Sequence, residues 1–126
     1  MSRQVVSTDK APAAIGPYSQ AIKAGGFVFT SGQIPIDPAS GKIEATDITG
    51  QTEQVMKNLE AVLKAAGTDF SKVVKTTIFL VDLAHFATVN EIYAKRFQKE
   101  PPARSCIQVS KLPKDSLVEI EMVAIG

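Results

Sequence analysis

Arg104 lies in the stretch Pro101-Pro102-Ala103-Arg104-Ser105-Cys106-Ile107-Gln108-Val109, among small, uncharged residues and with no acid nearby in sequence. A guanidinium is always charged and presents a rigid fork of donors that fits a carboxylate or a phosphate. Two readings are open: a fork held for an anionic ligand, or an edge-strand arginine pointing into water. Glu119 and Glu121 project from one strand face, so they are either solvated neighbours or a pair of which one sits in a cleft, where burial favours its protonated form. His85, the only histidine, is either a partly exposed polar residue or a base. Tyr18 follows Gly16-Pro17 and Asn90 lies in a helical stretch; each is open to packing or to binding. No His/Cys/acid spacing matches a metal site. Gly25-Gly26 and Gly32 do not run directly into a helix N-terminus, as a phosphate-cradling loop does. No serine sits on a nucleophile elbow.

These side chains have to be placed by a single domain, residues 1–126. That length allows a core but not two domains. Hydrophobic residues are 44% and charged residues 21%, a globular balance. Fourteen Lys+Arg against 13 Asp+Glu leave a net charge of +1, which gives no electrostatic case for nucleic acid or an anionic membrane. No apolar run reaches the length of a membrane span and the N-terminus lacks a signal-peptide pattern. Cys106 is the only cysteine, so no intrachain disulfide forms and a reducing, cytoplasmic setting is expected.

In chain order, Val5-Val6 begins a short strand and residues 10–17 form a loop. Residues 18–23 and 27–31 flank Gly25-Gly26 as a tight hairpin. Residues 34–42 read as a loop of turn formers. A helix follows, capped by Asp47 or Thr49, with Val55, Leu59, Val62, Leu63 and Ala66 on one face and Gly67 ending it. Residues 73–81 read as a central strand, rich in β-branched side chains. A second helix spans about 85–97 with Phe86, Val89, Tyr93 and Phe97 on its buried side. Two prolines delay the next strand until after Pro102, and a last strand covers 117–125. In the Arg104 strand, Ala103, Ser105, Ile107 and Val109 face one way, and Arg104, Cys106, Gln108 and Ser110 the other.

The order is that of an α+β domain with two helices on one face of a mixed sheet. On the central strand both faces are apolar: Val74, Ile78 and Leu80 on one side, Val73, Phe79 and Val81 on the other. Two helices cover only one of them. The second face, with Phe27 and Phe29, calls for another copy of the chain.

The ordered set Gly16-Pro17-Tyr18-Ser19-Gln20-Ala21, Thr30-Ser31-Gly32-Gln33, Val74-Lys75-Thr76-Thr77, Phe86 with Val89-Asn90, Pro102-Ala103-Arg104-Ser105, and Leu112-Pro113 with Val118-Glu119-Ile120-Glu121 resembles the Rid (YjgF-type) family nearly end to end. It is most similar to the RidA-like imine and enamine deaminases. The resemblance implies a chorismate-mutase-like fold and a homotrimer with sites in clefts between subunits. It implies hydrolysis of 2-imino acids such as 2-iminopropanoate and 2-iminobutanoate to the 2-keto acid and ammonia, with no cofactor and no metal. By the same resemblance Arg104 clamps the substrate carboxylate. Glu119 and the backbone carbonyl of Cys106 orient the water, and Tyr18, Ser31, Gly32 and Asn90 line the cleft.

The sequence departs from the family pattern at Pro101, where relatives often carry an aromatic residue near the cleft mouth. Two other classes stay open by resemblance. A ribonuclease or translation inhibitor is opposed by the near-neutral charge and single histidine. A regulator or chaperone-like protein that binds 2-keto acids without turnover fits the same clamp.

Overall fold

The computed structural model describes residues 2–126. Its main sheet has six strands: β1 (Gln4–Val6), β2 (Ala21–Ala24), β3 (Phe27–Thr30), β6 (Val73–Leu80), β7 (Ala103–Gln108) and β8 (Val118–Ile125), in the spatial order β1-β2-β3-β8-β6-β7. All neighbours are antiparallel except β6 and β7. That one parallel pair needs a crossover, and helix α2 (Phe86–Ala94) supplies it. Helix α1 (Ile48–Ala65) precedes β6 and packs on the same face. The α+β architecture with two helices on one sheet face is as expected.

Helix α1 is started by Asp47, whose carboxylate accepts from the Gly50 amide at 2.9 Å, so Asp47 rather than Thr49 is the cap. Val55, Met56, Leu59, Val62 and Leu63 recur at helical spacing and are fully buried against β3 and β8. Gly67 closes the helix at φ +82°, a backbone region that strains any residue with a Cβ. Gly25 and Gly26, at φ +59° and +82°, make the tight turn between β2 and β3 for the same reason.

Three expectations change. The segment 34–42 is not all loop: β4 (Ile36–Asp37) pairs with β5 (Lys42–Ile43). Asn58 of α1 holds this small hairpin by donating to the carbonyls of Ile34 and Ile36 at 3.2 and 2.9 Å, a tertiary bond that local turn chemistry does not announce. The second helix is shorter than expected and ends at Ala94. On the central strand, a register shift between Val73 and Lys75 reverses the expected faces at its start. Val73 therefore joins Thr76, Ile78 and Leu80 under the helices, and Val74 is exposed.

The face away from the helices carries Phe29, Val123, Lys75 and Ala103 in one cross-sheet row and Glu119, Phe79 and Ile107 in another. Phe27, Phe29, Ile107 and Ile125 are each between 41% and 48% exposed there. An apolar row of this kind on an uncovered sheet is a surface for association. No helix among the described residues is long and apolar enough to cross a membrane.

One buried polar atom in the core is unsatisfied. Thr52 on α1 is fully buried and its hydroxyl has no hydrogen-bond partner among the described residues. Thr52→Val keeps the shape and removes the orphan, so it should raise unfolding free energy by about 1 kcal/mol in urea titration. A loss of stability of that size would mean the hydroxyl is satisfied in solution.

Candidate functional site

Side chains of residues paired across adjacent strands share a sheet face. Arg104 pairs with Thr76, and Thr76 with Met122; both partners are buried beneath the helices. Arg104 therefore emerges on the helix-covered face, at the outer edge strand β7. Glu119 pairs with Phe79, which pairs with Ile107, on the opposite face. Within one chain, the two residues expected to divide the chemistry lie on opposite sides of the sheet.

Around Arg104 the site is built by α2. Its Nη1 donates to Asn90 Oδ1 at 2.7 Å. The guanidinium carbon lies 5.3 Å from the Phe86 ring centre and 5.1 Å from that of Tyr93, within cation–π range. Phe86, Asn90 and Tyr93 are spaced i, i+4, i+7, one stripe of the helix. Among the described residues no carboxylate pairs with Arg104. The cavity it lines, about 400 Å³, continues over Phe97, Pro101 and Pro102. Of the expected site residues, Arg104 and Asn90 come together here.

The other expected residues meet in a second cavity of about 440 Å³, lined among others by Tyr18, Ser31, Gly32, Ile34, Lys114 and Glu119. Gly32 is there because of Glu119: a Cβ on it would lie 2.5 Å from Glu119 Oε2. Ser31 donates its hydroxyl to the Ser19 carbonyl, leaving its oxygen lone pairs to the cavity. Gln20, almost fully buried, fixes the wall by accepting from the Thr8 amide at 2.7 Å and donating to the Pro12 carbonyl at 2.7 Å. Tyr18 stands half exposed at the rim. Lys114 holds a left-handed backbone at φ +56° in the turn before β8.

Burial pushes the Glu119 carboxyl above its ordinary range, and the neighbouring Glu121 charge adds to this. Glu121 itself is exposed and pairs in register with Thr77. The Cys106 thiol is also pushed up by burial, against an opposing effect of Arg104, so it stays protonated and packs at the edge of the core. The Val109 amide donates to the Leu80 carbonyl at 2.8 Å, toward β6. Backbone groups alternate along a strand, so those of Cys106 face the unpaired outer edge of β7. His85 lines neither cavity; its Nδ1 is buried without a partner among the described residues. Among the described residues no three His, Cys, Asp or Glu side chains converge on a metal position.

Phe86, Tyr93 and Gln20 were not among the expected site residues. Phe86 and Tyr93 stand with Val89 and Phe97 in the stripe expected on the buried side of the helix; Tyr93 is buried there, but Phe86 is exposed and lies against Arg104 instead.

Residues 8–126 match the sequence model of the family described as Endoribonuclease L-PSP, the Rid (YjgF) group. The chain belongs to the Rid family. One curated Rid relative, named 2-iminobutanoate/2-iminopropanoate deaminase, is from Homo sapiens; it is 51% identical over 98% of this chain and 90% of its own length. The Rid family protein YyfA of Yersinia pestis superposes with a TM-score of 0.95 at 51% identity, covering 99% of this chain and 100% of that one. E. coli TdcF, solved with bound serine, superposes with a TM-score of 0.92 at 43% identity, over 98% of both chains. As a Rid protein, the chain has the expected fold.

The Glu119 environment makes a prediction about stability. A carboxyl whose folded pKa is raised lends stability that is full below its unfolded value, near 4.5, and is lost as pH rises through the folded value. Glu119→Gln removes that loss. The variant should be more stable than the parent at neutral pH and should converge with it toward pH 4 in urea unfolding. A parent–variant difference that does not change with pH would contradict the raised carboxyl.

Proposed function

We propose that this Rid protein hydrolyses 2-imino acids such as 2-iminopropanoate and 2-iminobutanoate to the 2-keto acid and ammonia. Its site forms where the Arg104 cavity of one copy meets the Glu119 cavity of the next in a homotrimer. The single observation carrying the proposal is the Arg104 guanidinium, held by Asn90 and two rings with no internal carboxylate to neutralise it. A fixed, unpaired fork at a cavity is suited to a carboxylate from outside. The serine bound to TdcF and the name of the human relative support a small α-nitrogen acid as that ligand. The single cysteine and the absence of any nucleic-acid charge signature favour a cytoplasmic metabolite enzyme over the ribonuclease of the family description.

The chemistry asks little of the protein beyond placement. Water adds to C2 of the imine, giving a carbinolamine; the nitrogen gains a proton, the C–N bond breaks, and the hydroxyl proton is given up as the ketone forms. Arg104 fixes the carboxylate and so the position of C2. Glu119, with its proton affinity raised by burial, takes a proton from the attacking water and returns it to the departing nitrogen. The backbone carbonyl of Cys106, on the free edge of β7, orients the water's second hydrogen. Tyr18, Ser31 and Gly32 wall the nitrogen and the carboxyl group. Neither metal nor cofactor enters this sequence.

Assembly size, turnover and 2-keto acid binding test the proposal. Light scattering at micromolar concentration should give about three times 13.5 kDa; a stable monomer would remove the shared site. Arg104→Ala should lower kcat/KM for an imine generated in situ by at least about tenfold and abolish 2-keto acid binding, because losing one partner of a charged pair in a cleft is worth roughly 2–5 kcal/mol. Glu119→Gln should lower kcat while 2-keto acid still binds. Parental turnover in Arg104→Ala would make the arginine a surface charge.

A further inference from the structure

Two buried residues, Thr76 and Tyr93, bracket Arg104: one beside its backbone, the other at its guanidinium. Thr76 pairs with Arg104 across the β6–β7 ladder, and its hydroxyl is 2.8 Å from the Tyr93 hydroxyl. The Tyr93 ring then reaches back to within 5.1 Å of the Arg104 guanidinium carbon. Backbone register, hydroxyl pair and ring contact thus close a triangle. Thr76 is 1% exposed and Tyr93 4% exposed, so both corners are fixed by the core.

We infer that Tyr93 is a positioning residue for the Arg104 clamp, holding the guanidinium through its ring while its hydroxyl locks the ring to Thr76. This rests on the carboxylate-clamp reading of Arg104 above. An arginine on an edge strand is long and free to swing, and a swinging fork loses the preorganisation that makes a bidentate carboxylate contact tight. Asn90 engages one donor, Nη1, and leaves the others for a ligand. One hydrogen bond does not set the plane of the guanidinium. The Tyr93 and Phe86 rings do, by occupying its neighbourhood with π faces. Phe86 is partly exposed, whereas Tyr93 is anchored, so Tyr93 provides the fixed reference.

The hydroxyl explains why tyrosine stands at this position. The Thr76 hydroxyl is buried and requires a partner, and Tyr93 supplies it without opening the core to water. Substrate affinity is then coupled to a hydrogen bond with no atom in either cavity's chemistry.

The test compares Tyr93→Leu with Tyr93→Phe in assemblies of parental size, by calorimetric titration of 2-oxobutanoate and by kinetics on the imine generated in situ. Tyr93→Leu removes the ring and should raise both KM and the 2-oxobutanoate Kd about tenfold, with kcat within about twofold of the parent. Tyr93→Phe keeps the ring but frees it from Thr76, so it should raise both by an intermediate factor of about three, and parental values in it would remove the hydroxyl's part. A residue that only fills the core would lower stability in both variants and leave the Kd of the folded protein unchanged. Should Tyr93→Leu fail to fold, Tyr93→Met, whose flexible side chain adapts to the gap without a π face, is expected to show the same rise in KM. Parental affinity in Tyr93→Leu or Tyr93→Met, with binding lost in Arg104→Ala, overturns the positioning role and leaves the clamp standing. Parental affinity in Arg104→Ala overturns both.

Discussion

Period-two alternation across hydrogen-bonded strands is the constraint on which this molecule depends. Once Met122, Thr76 and Arg104 are in register, Arg104 must share the helix-covered face. Once Glu119, Phe79 and Ile107 are in register, Glu119 must face away from the helices. No rotamer change moves either side chain through a sheet. The proposed reaction, which needs both residues on one substrate, would draw them from different copies of the chain, and the uncovered apolar row beside Glu119 is where the proposed copies would meet.

The two halves are built in different ways. Arg104 is held by a stripe of α2, an element that is itself anchored in the core through Val89, Ile92 and Tyr93. Glu119 is held by its strand and by an absence, the missing side chain of Gly32. The half-buried carboxyl, pushed toward its protonated form by burial and by Glu121, costs stability at neutral pH. The helix face carries the compensation, with an almost continuous layer of buried aliphatic side chains from α1 and β8.

Much of this was legible in the residues. Helical spacing from Val55 to Leu63, Gly67 at the helix end and Gly25-Gly26 in the hairpin each have a local physical cause, and the structure agrees with them. The surplus of apolar sheet face was legible too, but not its membership: Val73 and Val74 exchange places because a bulge breaks the alternation. The β4–β5 hairpin was hidden because Asn58, well inside the helix that follows it, stabilises it by a tertiary hydrogen-bond pair. The ordered resemblance of Gly16–Ala21, Pro102–Ser105 and Val118–Glu121 to Rid proteins pointed to the family that the comparisons show. What no linear pattern conveyed is that Tyr93 serves Arg104 as well as the core, and that Phe86 lies against Arg104 while staying exposed, since a stripe of aromatics looks the same in either role.

Mixing two inactive variants addresses the division of the site most directly. Arg104→Ala chains retain Glu119, and Glu119→Gln chains retain Arg104. If the two cavities join between copies, trimers assembled at random from equal amounts should recover about a quarter of the parental site activity, the share of interfaces pairing an intact Arg104 with an intact Glu119. Mixed assemblies confirmed by native mass spectrometry that stay as inactive as their components would contradict a site shared between subunits.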